Sequence, residues 1–268
     1  MRKSRTDCWT AQTPSRTMDR VVPTPWDTRR QLEYVRTTDT VSKIEEPLHD
    51  RSHSAVTIPA YESRAAYWDE YYSKFTDVTR PLPSQFAVFV ASELQSPHRV
   101  VEFGCGNGRD SLLFSSHGHR VIGVDASAPA IKRCVRLTET LGHTAEFLTS
   151  AIEDPDLVGR IPTSEGPTAI YARFFLHAIT EDEEQSFFRC ANTLTKKGDV
   201  MAVEYRTVRD LSQAKTTASH YRRFMDPVVF QQTAYQHGFH VRYAVEGFGY
   251  AKYLQDDAYV ARCVLVRD

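Results

Sequence analysis

The sequence predicts an α/β domain: a doubly wound, mostly parallel sheet of seven strands, covered by helices on both faces and ending in an antiparallel hairpin. Three observations carry this. From Arg99 onward, short apolar runs alternate with helical stretches about every 20 residues, the rhythm of right-handed strand–helix–strand crossovers. Runs such as "RVVEF" are apolar almost throughout, as strands buried on both faces are. The last two strand-like runs, "FHVRYAVEGFG" and "DAYVARCVLVRD", have no helix between them and read as strands joined by a long turn.

Residues 1–58 are rich in Ser, Thr, Pro, Arg and Asp, with apolar residues at no period. Such a segment cannot bury enough surface to offset ordering entropy, so a mostly disordered arm is expected, with Trp9, Trp26 and "RRQLEYV" as points of contact with the domain or a partner. The domain is expected over 59–268. It opens with an aromatic helix in "PAYESRAAYWDEYYSKF", and Ser84 caps a second helix, "QFAVFVASELQ". Then come the strand "RVVEF", a helix in "GRDSLLFSSHG" closed by Gly118, the strand "RVIGVD", and a helix between Ser127 and Gly142. "AEFLT" and "PTAIYARFF" are the third and fourth strands. The helix "EDEEQSFFRCANTL" has acids in its first turn, where the macrodipole favours them, and precedes the fifth strand, "GDVMAVEYR". A basic interlude leads to a helix near "DPVVFQQTAYQHG" and then to the last two strands.

Composition narrows the function. With 41% hydrophobic and 25% charged residues and a formal net charge of -1, the chain gives no electrostatic reason to expect nucleic acid or an anionic membrane as partner. No apolar run approaches the roughly 20 residues of a membrane span, and the basic start has no apolar segment behind it, so a cytoplasmic location is expected. Cys8, Cys105, Cys134, Cys190 and Cys263 are odd in number and never form CxxC, which argues against a zinc site or a disulfide framework. His117 and His119 in "HGH" lack a third ligand, and no metal is expected.

The stretch "VVEFGCGNGRD" carries the chemistry. Gly104, Gly106 and Gly108 make GxGxG directly after a strand, preceded two residues earlier by Glu102, and Arg109 stands where a dinucleotide loop would have its third glycine. The loop therefore suits a ligand whose charged amino-acid end lies against bare backbone and whose ammonium is drawn to an acid. Asp125, ending the second strand, is placed to accept both hydroxyls of a ribose.

Together, "VVEFGCGNGRD" and "VIGVDAS" resemble the first and second cofactor motifs of class I S-adenosylmethionine-dependent methyltransferases, a likeness that extends over about 61 to 268 and implies a Rossmann-like fold with an N-terminal helical lid. The resemblance implies that Glu102 engages the methionine ammonium and that the backbone at Gly104, Cys105, Gly106 and Gly108 approaches the cofactor. It also implies that Asp125 takes the ribose while Ala126 flanks the adenine, with Ser127 also in the cofactor site. After the third strand, Ala151 stands where many members have an acid; adenine is then held by the backbone of Ala151 and Ile152, by packing on Ile152, or by Glu153. Tyr67, Trp68, Tyr71 or Tyr72 of the aromatic helix would cover the cofactor, unless the helix serves packing alone.

Methyl transfer needs an in-line nucleophile, exclusion of water and sometimes a base. Arg173 and His177 fall where members of the superfamily line the methyl-donor pocket, with His177 as base or acceptor ligand and Arg173 also against the cofactor, and Tyr205 of the fifth strand is a third catalytic candidate. The interlude after that strand carries Glu204, Arg206, Arg209, Lys215, His220, Tyr221, Arg222 and Arg223. Guanidinium forks grip carboxylate or phosphate, so Arg206, His220, Tyr221, Arg222 and Arg223 are candidates for holding a small anionic acceptor; the alternative is a solvated charged loop. "HYRRF" and "EGFGYAKY" are similar to a bacterial subgroup linked with surface-polysaccharide or secondary-metabolite assembly, and the loop motifs are similar in thiopurine- and tellurite-type enzymes. The expected activity is methyl transfer to a small molecule, with oxygen favoured. A protein methyltransferase and a non-catalytic cofactor-binding module, its arm recruiting a partner, are the alternatives.

Overall fold

The computed structural model describes residues 61–75, 81–213, 215, 220–253 and 255–268. The expected arm lies outside them. Seven strands make one sheet: β1 (Arg99–Phe103), β2 (Arg120–Asp125), β3 (Ala145–Thr149), β4 (Thr168–Arg173), β5 (Val200–Arg206), β6 (Phe239–Tyr253) and β7 (Asp256–Arg267), in the order β3-β2-β1-β4-β5-β7-β6. The first five are parallel and β7 is antiparallel to both neighbours. The chain winds outward one way from β1 through β2 to β3, then returns to β4 on the other side. The crevice beyond the carboxyl ends of β1 and β4 is thus the switch point at which such sheets bind ligands.

Sequence signals set the helix ends. Ser84 accepts a bond from the Ala87 amide to start α2 (Gln85–Glu93), and left-handed Gly108 precedes α3 (Arg109–Ser116). Ser127 caps α4 (Ala128–Leu141), which Gly142 ends at φ +66°. The α6 helix (Glu181–Leu194) has the expected bounds because Thr180 and Glu183 form a reciprocal capping box. Asp226 caps α7 (Pro227–Gln236). The aromatic helix, α1 (Tyr61–Ser73), lies against α4. A single turn, α5 (Leu157–Arg160), was not expected; four residues are too few to show a period.

Alternate residues of the buried strands feed two cores. Val101, Phe103, Ile170, Ala172, Val203 and Tyr205 face one core with Phe187, Phe188 and Phe230 from α6 and α7. Val100, Ala169, Tyr171 and Ala202 face the other with Phe86, Val90 and Phe114 from α2 and α3. The expected long turn between the last strands is instead strand: β6 runs to Tyr253, and its register against β7 shifts between Gly247 and Ala251, with Gly249 at φ +82°. The fourth strand is shorter than "PTAIYARFF", because Phe174 leaves it with φ +56°.

Candidate active site at the carboxyl rim

The glycine loop is folded back onto the end of β2. Gly104 and Cys105 donate their amides to the Val124 carbonyl, at 2.8 and 3.1 Å, and the Gly108 amide reaches Cys105 O at 2.9 Å. Gly104, Gly106 and Gly108 all have positive φ, at 72°, 52° and 74°. Only glycine adopts this series without strain. A side chain would also collide: a Cβ on Gly104 would lie 2.7 Å from Phe175 Cδ2, and one on Gly106 would meet the Tyr72 ring.

Two acids flank this bare backbone. Asp125 accepts the Gly106 amide on Oδ2 at 2.8 Å and the Ser127 amide on Oδ1 at 2.9 Å, so its plane is fixed against the loop. Glu102 is buried and accepts Ser111 Oγ at 2.5 Å. Burial and the nearby Asp110 carboxylate hold the Glu102 acid well above its usual range, and burial raises Asp125 as well. A cation placed beside Glu102 would relieve that cost. Asp110 is a residue the sequence reading missed. It accepts the Ser84 amide (2.7 Å), Ser84 Oγ (2.7 Å) and the Tyr171 hydroxyl (2.8 Å), joining the starts of α2 and α3 to β4. Its signal was an acid in the first turn after the glycines.

The α1 helix approaches this loop through Tyr72 and is held by contacts near both ends. Arg64 forks onto Glu183 at 2.8 and 2.9 Å, and Arg133 of α4 reaches Phe75 O at 3.4 Å. Tyr72 is turned toward Gly106, and burial with the adjacent Asp125 pushes its phenol far up. Tyr67 stacks on His220 at 4.3 Å, with Trp68 edge-on to the same imidazole and Tyr71 against Phe75. Arg64 also lies over the Tyr221 ring. The 220–223 segment thus packs on α1 through His220 and Tyr221.

Of the residues expected around adenine, Ala151 is partly exposed, Ile152 is buried in the core, and Glu153 is exposed. Ala126 is exposed beyond Asp125, whereas the Ser127 hydroxyl is used as the α4 cap. Cys105 is buried beside Cys134, and its thiol is raised well above the usual range, the state of an inert thiol.

Several acceptor-side candidates have other occupations. Tyr205 is fully buried, its ring 4.9 Å from Phe230 and its hydroxyl 3.9 Å from Cys263 Sγ, because strand alternation turns it away from the rim that Glu204 and Arg206 face. It is a core residue, not a catalytic one. Arg206 is also buried, committed at 2.5 Å to both Asp210 and Asp256, and Lys215 approaches Asp210 at 3.1 Å. Arg223 donates to Glu184 and to Leu176 O. Both guanidinium groups are thus committed to protein acceptors, with Arg223 Nε left without one. Exposed Arg209 bonds the Tyr259 hydroxyl at 2.8 Å and pairs with Glu246.

The structure brings Arg173, Phe174, His177 and Arg222 together. Arg173 Nε lies 2.8 Å from Glu204 Oε1, as an ion pair without hydrogen-bond alignment, and its guanidinium sits 4.2 Å from the Phe174 ring. Phe174, a second residue the sequence reading missed, is the one non-glycine with positive φ among the described residues, and its ring lies edge-on to His177 at 5.1 Å. Strain of this kind collects at functional sites. No sequence signal marks it, since bulky residues avoid that conformation. His177 is buried; burial first, then Arg206, Arg222, His220 and Arg173, depress it well below the ordinary imidazole value. Its Nδ1 accepts the Arg206 amide at 3.3 Å, which leaves the proton on Nε2.

His119 accepts the His98 amide, and no group of three or more metal-binding side chains occurs among the described residues. No described helix is long and apolar enough to cross a membrane.

Residues 100–198 match a family model described as a methyltransferase domain. No curated protein matches the chain. Among solved structures, an S-adenosylmethionine-dependent methyltransferase from Anabaena variabilis superposes with a TM-score of 0.60 at 18% identity, covering 86% of this chain and all of the other. Magnesium protoporphyrin IX methyltransferase from Synechocystis, solved with bound S-adenosylmethionine, gives 0.56 at 15% identity, over 79% of this chain and 100% of that one. A (4+2)-cyclase gives 0.54 at 13% identity, over 68% of this chain and 80% of the cyclase. The family model thus marks residues 100–198 as similar to a methyltransferase domain, and the solved structures share the fold of the seven-stranded sheet.

Proposed function

We propose that the chain methylates a small anionic molecule on an oxygen that arrives already ionised. The supporting observation is the opposite polarity of the two halves of the rim. Glu102, Asp125 and Asp110 gather acidic side chains around the glycine loop, whereas Arg173 and Arg262 share the single carboxylate of Glu204. A ligand with an ammonium and a sulfonium fits the first half, and an anion fits the second. S-adenosylmethionine, when bound, supplies an electrophilic methyl group. Glu102 would hold its ammonium, Asp125 its ribose, and the lid would exclude water.

His177 is a hydrogen-bond donor in this scheme. A neutral imidazole whose Nδ1 is occupied presents Nε2–H, which can orient an anionic oxygen but not deprotonate it. His177→Gln, with a donor of its own, should therefore lower kcat/KM by less than about 10-fold, whereas loss of a general base costs roughly 100-fold or more. The same variant tests the titration. Because His177 is depressed in the fold, the unfolded chain binds its proton more readily, and stability falls as pH drops below the unfolded value of about 6.5. Melting curves from pH 7.5 to 5 should show a shallower loss in His177→Gln. His119 and His237, also depressed, keep part of the slope.

The two adjacent arginines separate by role. Arg223→Gln should cost about 2 kcal/mol, roughly 4 to 8 °C in melting temperature, because it strands Glu184. Arg222→Gln should instead raise acceptor KM, with cofactor KM nearly unchanged; equal rises would reject the acceptor role.

Labelled methyl transfer to a panel of carboxylates, phenolates and matched neutral esters tests the proposal directly. Transfer only to neutral amines or thiols would overturn the acceptor class. A second reading, a cofactor-binding module that transfers no methyl group, draws on the fact that a (4+2)-cyclase shares this fold; tight binding of adenosylhomocysteine with no transfer to any acceptor would favour it.

A further inference from the structure

Asp69 is a carboxylate whose Oδ1 is buried and has no hydrogen-bond partner. It lies on α1 three residues before Tyr72, so the two side chains share the helix face turned to the glycine loop. Tyr72 fixes that direction, since a Cβ on Gly106 would lie 3.0 Å from its Cζ. The Arg64–Glu183 fork and the Arg133–Phe75 contact hold the helix in place at either end, so the orphan oxygen does not result from a loose lid.

Its charged neighbour across the loop is another acid. Asp69 adds to the field that raises Asp125. Both Asp125 oxygens already accept a backbone amide, leaving limited capacity there for a diol. A buried carboxylate oxygen that no protein group satisfies, opposite a second carboxylate, loses hydration without return in the ligand-free fold. A ligand rich in donors would supply the return.

We propose that Asp69 is a cofactor-binding residue, accepting a hydrogen bond from the ribose hydroxyls of the nucleoside that Asp125 holds from below, so that the lid grips the cofactor as well as covering it. This rests on the reading of the glycine loop as an S-adenosylmethionine site.

The test is titration calorimetry of the full chain with adenosylhomocysteine and with its 2′,3′-dideoxyribose analogue, together with melting of the ligand-free protein. Asp69→Ala should bind adenosylhomocysteine about 10- to 100-fold more weakly, as loss of a charge-assisted bond implies. Asp69→Asn should fall between wild type and alanine. The ligand-free melting temperature should stay or rise, because the variant removes an unsatisfied group. The analogue should bind wild type and Asp69→Ala equally. Unchanged affinity for adenosylhomocysteine, an equal loss for the analogue, or a fall in ligand-free melting temperature accompanying the weakened binding would each overturn the assignment. If wild type binds no adenosylhomocysteine at all, the cofactor reading itself fails.

Discussion

Asp125→Ala is expected to weaken adenosylhomocysteine binding by about 100-fold or more, the loss of charge-assisted hydrogen bonds worth roughly 1.5 to 3 kcal/mol each. Two effects combine. The proposed ribose acceptor disappears, and the Gly106 and Ser127 amides lose the oxygens that hold the loop to the end of β2. The ligand-free protein should lose little stability, because burial raises this acid and its removal takes away a desolvation cost. Calorimetry on the full chain reads the first quantity and thermal melting the second. Unchanged affinity would remove the ribose assignment, while a large fall in melting temperature would recast Asp125 as a loop brace.

The contrast between Asp125 and Tyr205 shows what the sequence could reveal. Asp125, the three glycines and the caps at Ser84, Ser127, Gly142 and Thr180 act on backbone within a few residues of themselves, so local chemistry marks them. Tyr205 and Arg206 are neighbours on a strand buried on both faces. Polarity there does not alternate visibly, and nothing local says which side chain faces the rim. The arginines mislead for a related reason. Arg223 answers to Glu184, 39 residues away, and Arg206 to Asp256, 50 residues away. A run of cations looks available until folding delivers its partners. Asp110 gathers Ser84 and Tyr171 in the same manner, over separations of 26 and 61 residues. The local run of arginines pointed to an anion site, but only tertiary pairing shows which of them are committed to acids.

Glu204 carries the largest expected stability effect, and its variants separate stability from function. Its carboxylate is fully buried between Arg173 at 2.8 Å and Arg262 at 2.6 Å, while its backbone carbonyl accepts the amide of strained Phe174 at 2.8 Å. Glu204→Ala should cost about 3 to 5 kcal/mol, since it leaves two buried guanidinium groups without their counter-ion. That corresponds to a fall of roughly 6 to 20 °C in melting temperature. Replacing all three charges together, as Arg173→Met, Glu204→Leu and Arg262→Met, removes the desolvation penalties along with the attraction, and such exchanges are often neutral or stabilising. Stability should therefore largely return in the triple variant. If the group exists to present excess positive charge to an anionic acceptor, methyl transfer should remain lost there, with adenosylhomocysteine binding kept. Recovery of both stability and turnover would show that the buried ions serve only the packing of β4, β5 and β7, and the acceptor would then owe its place to other residues.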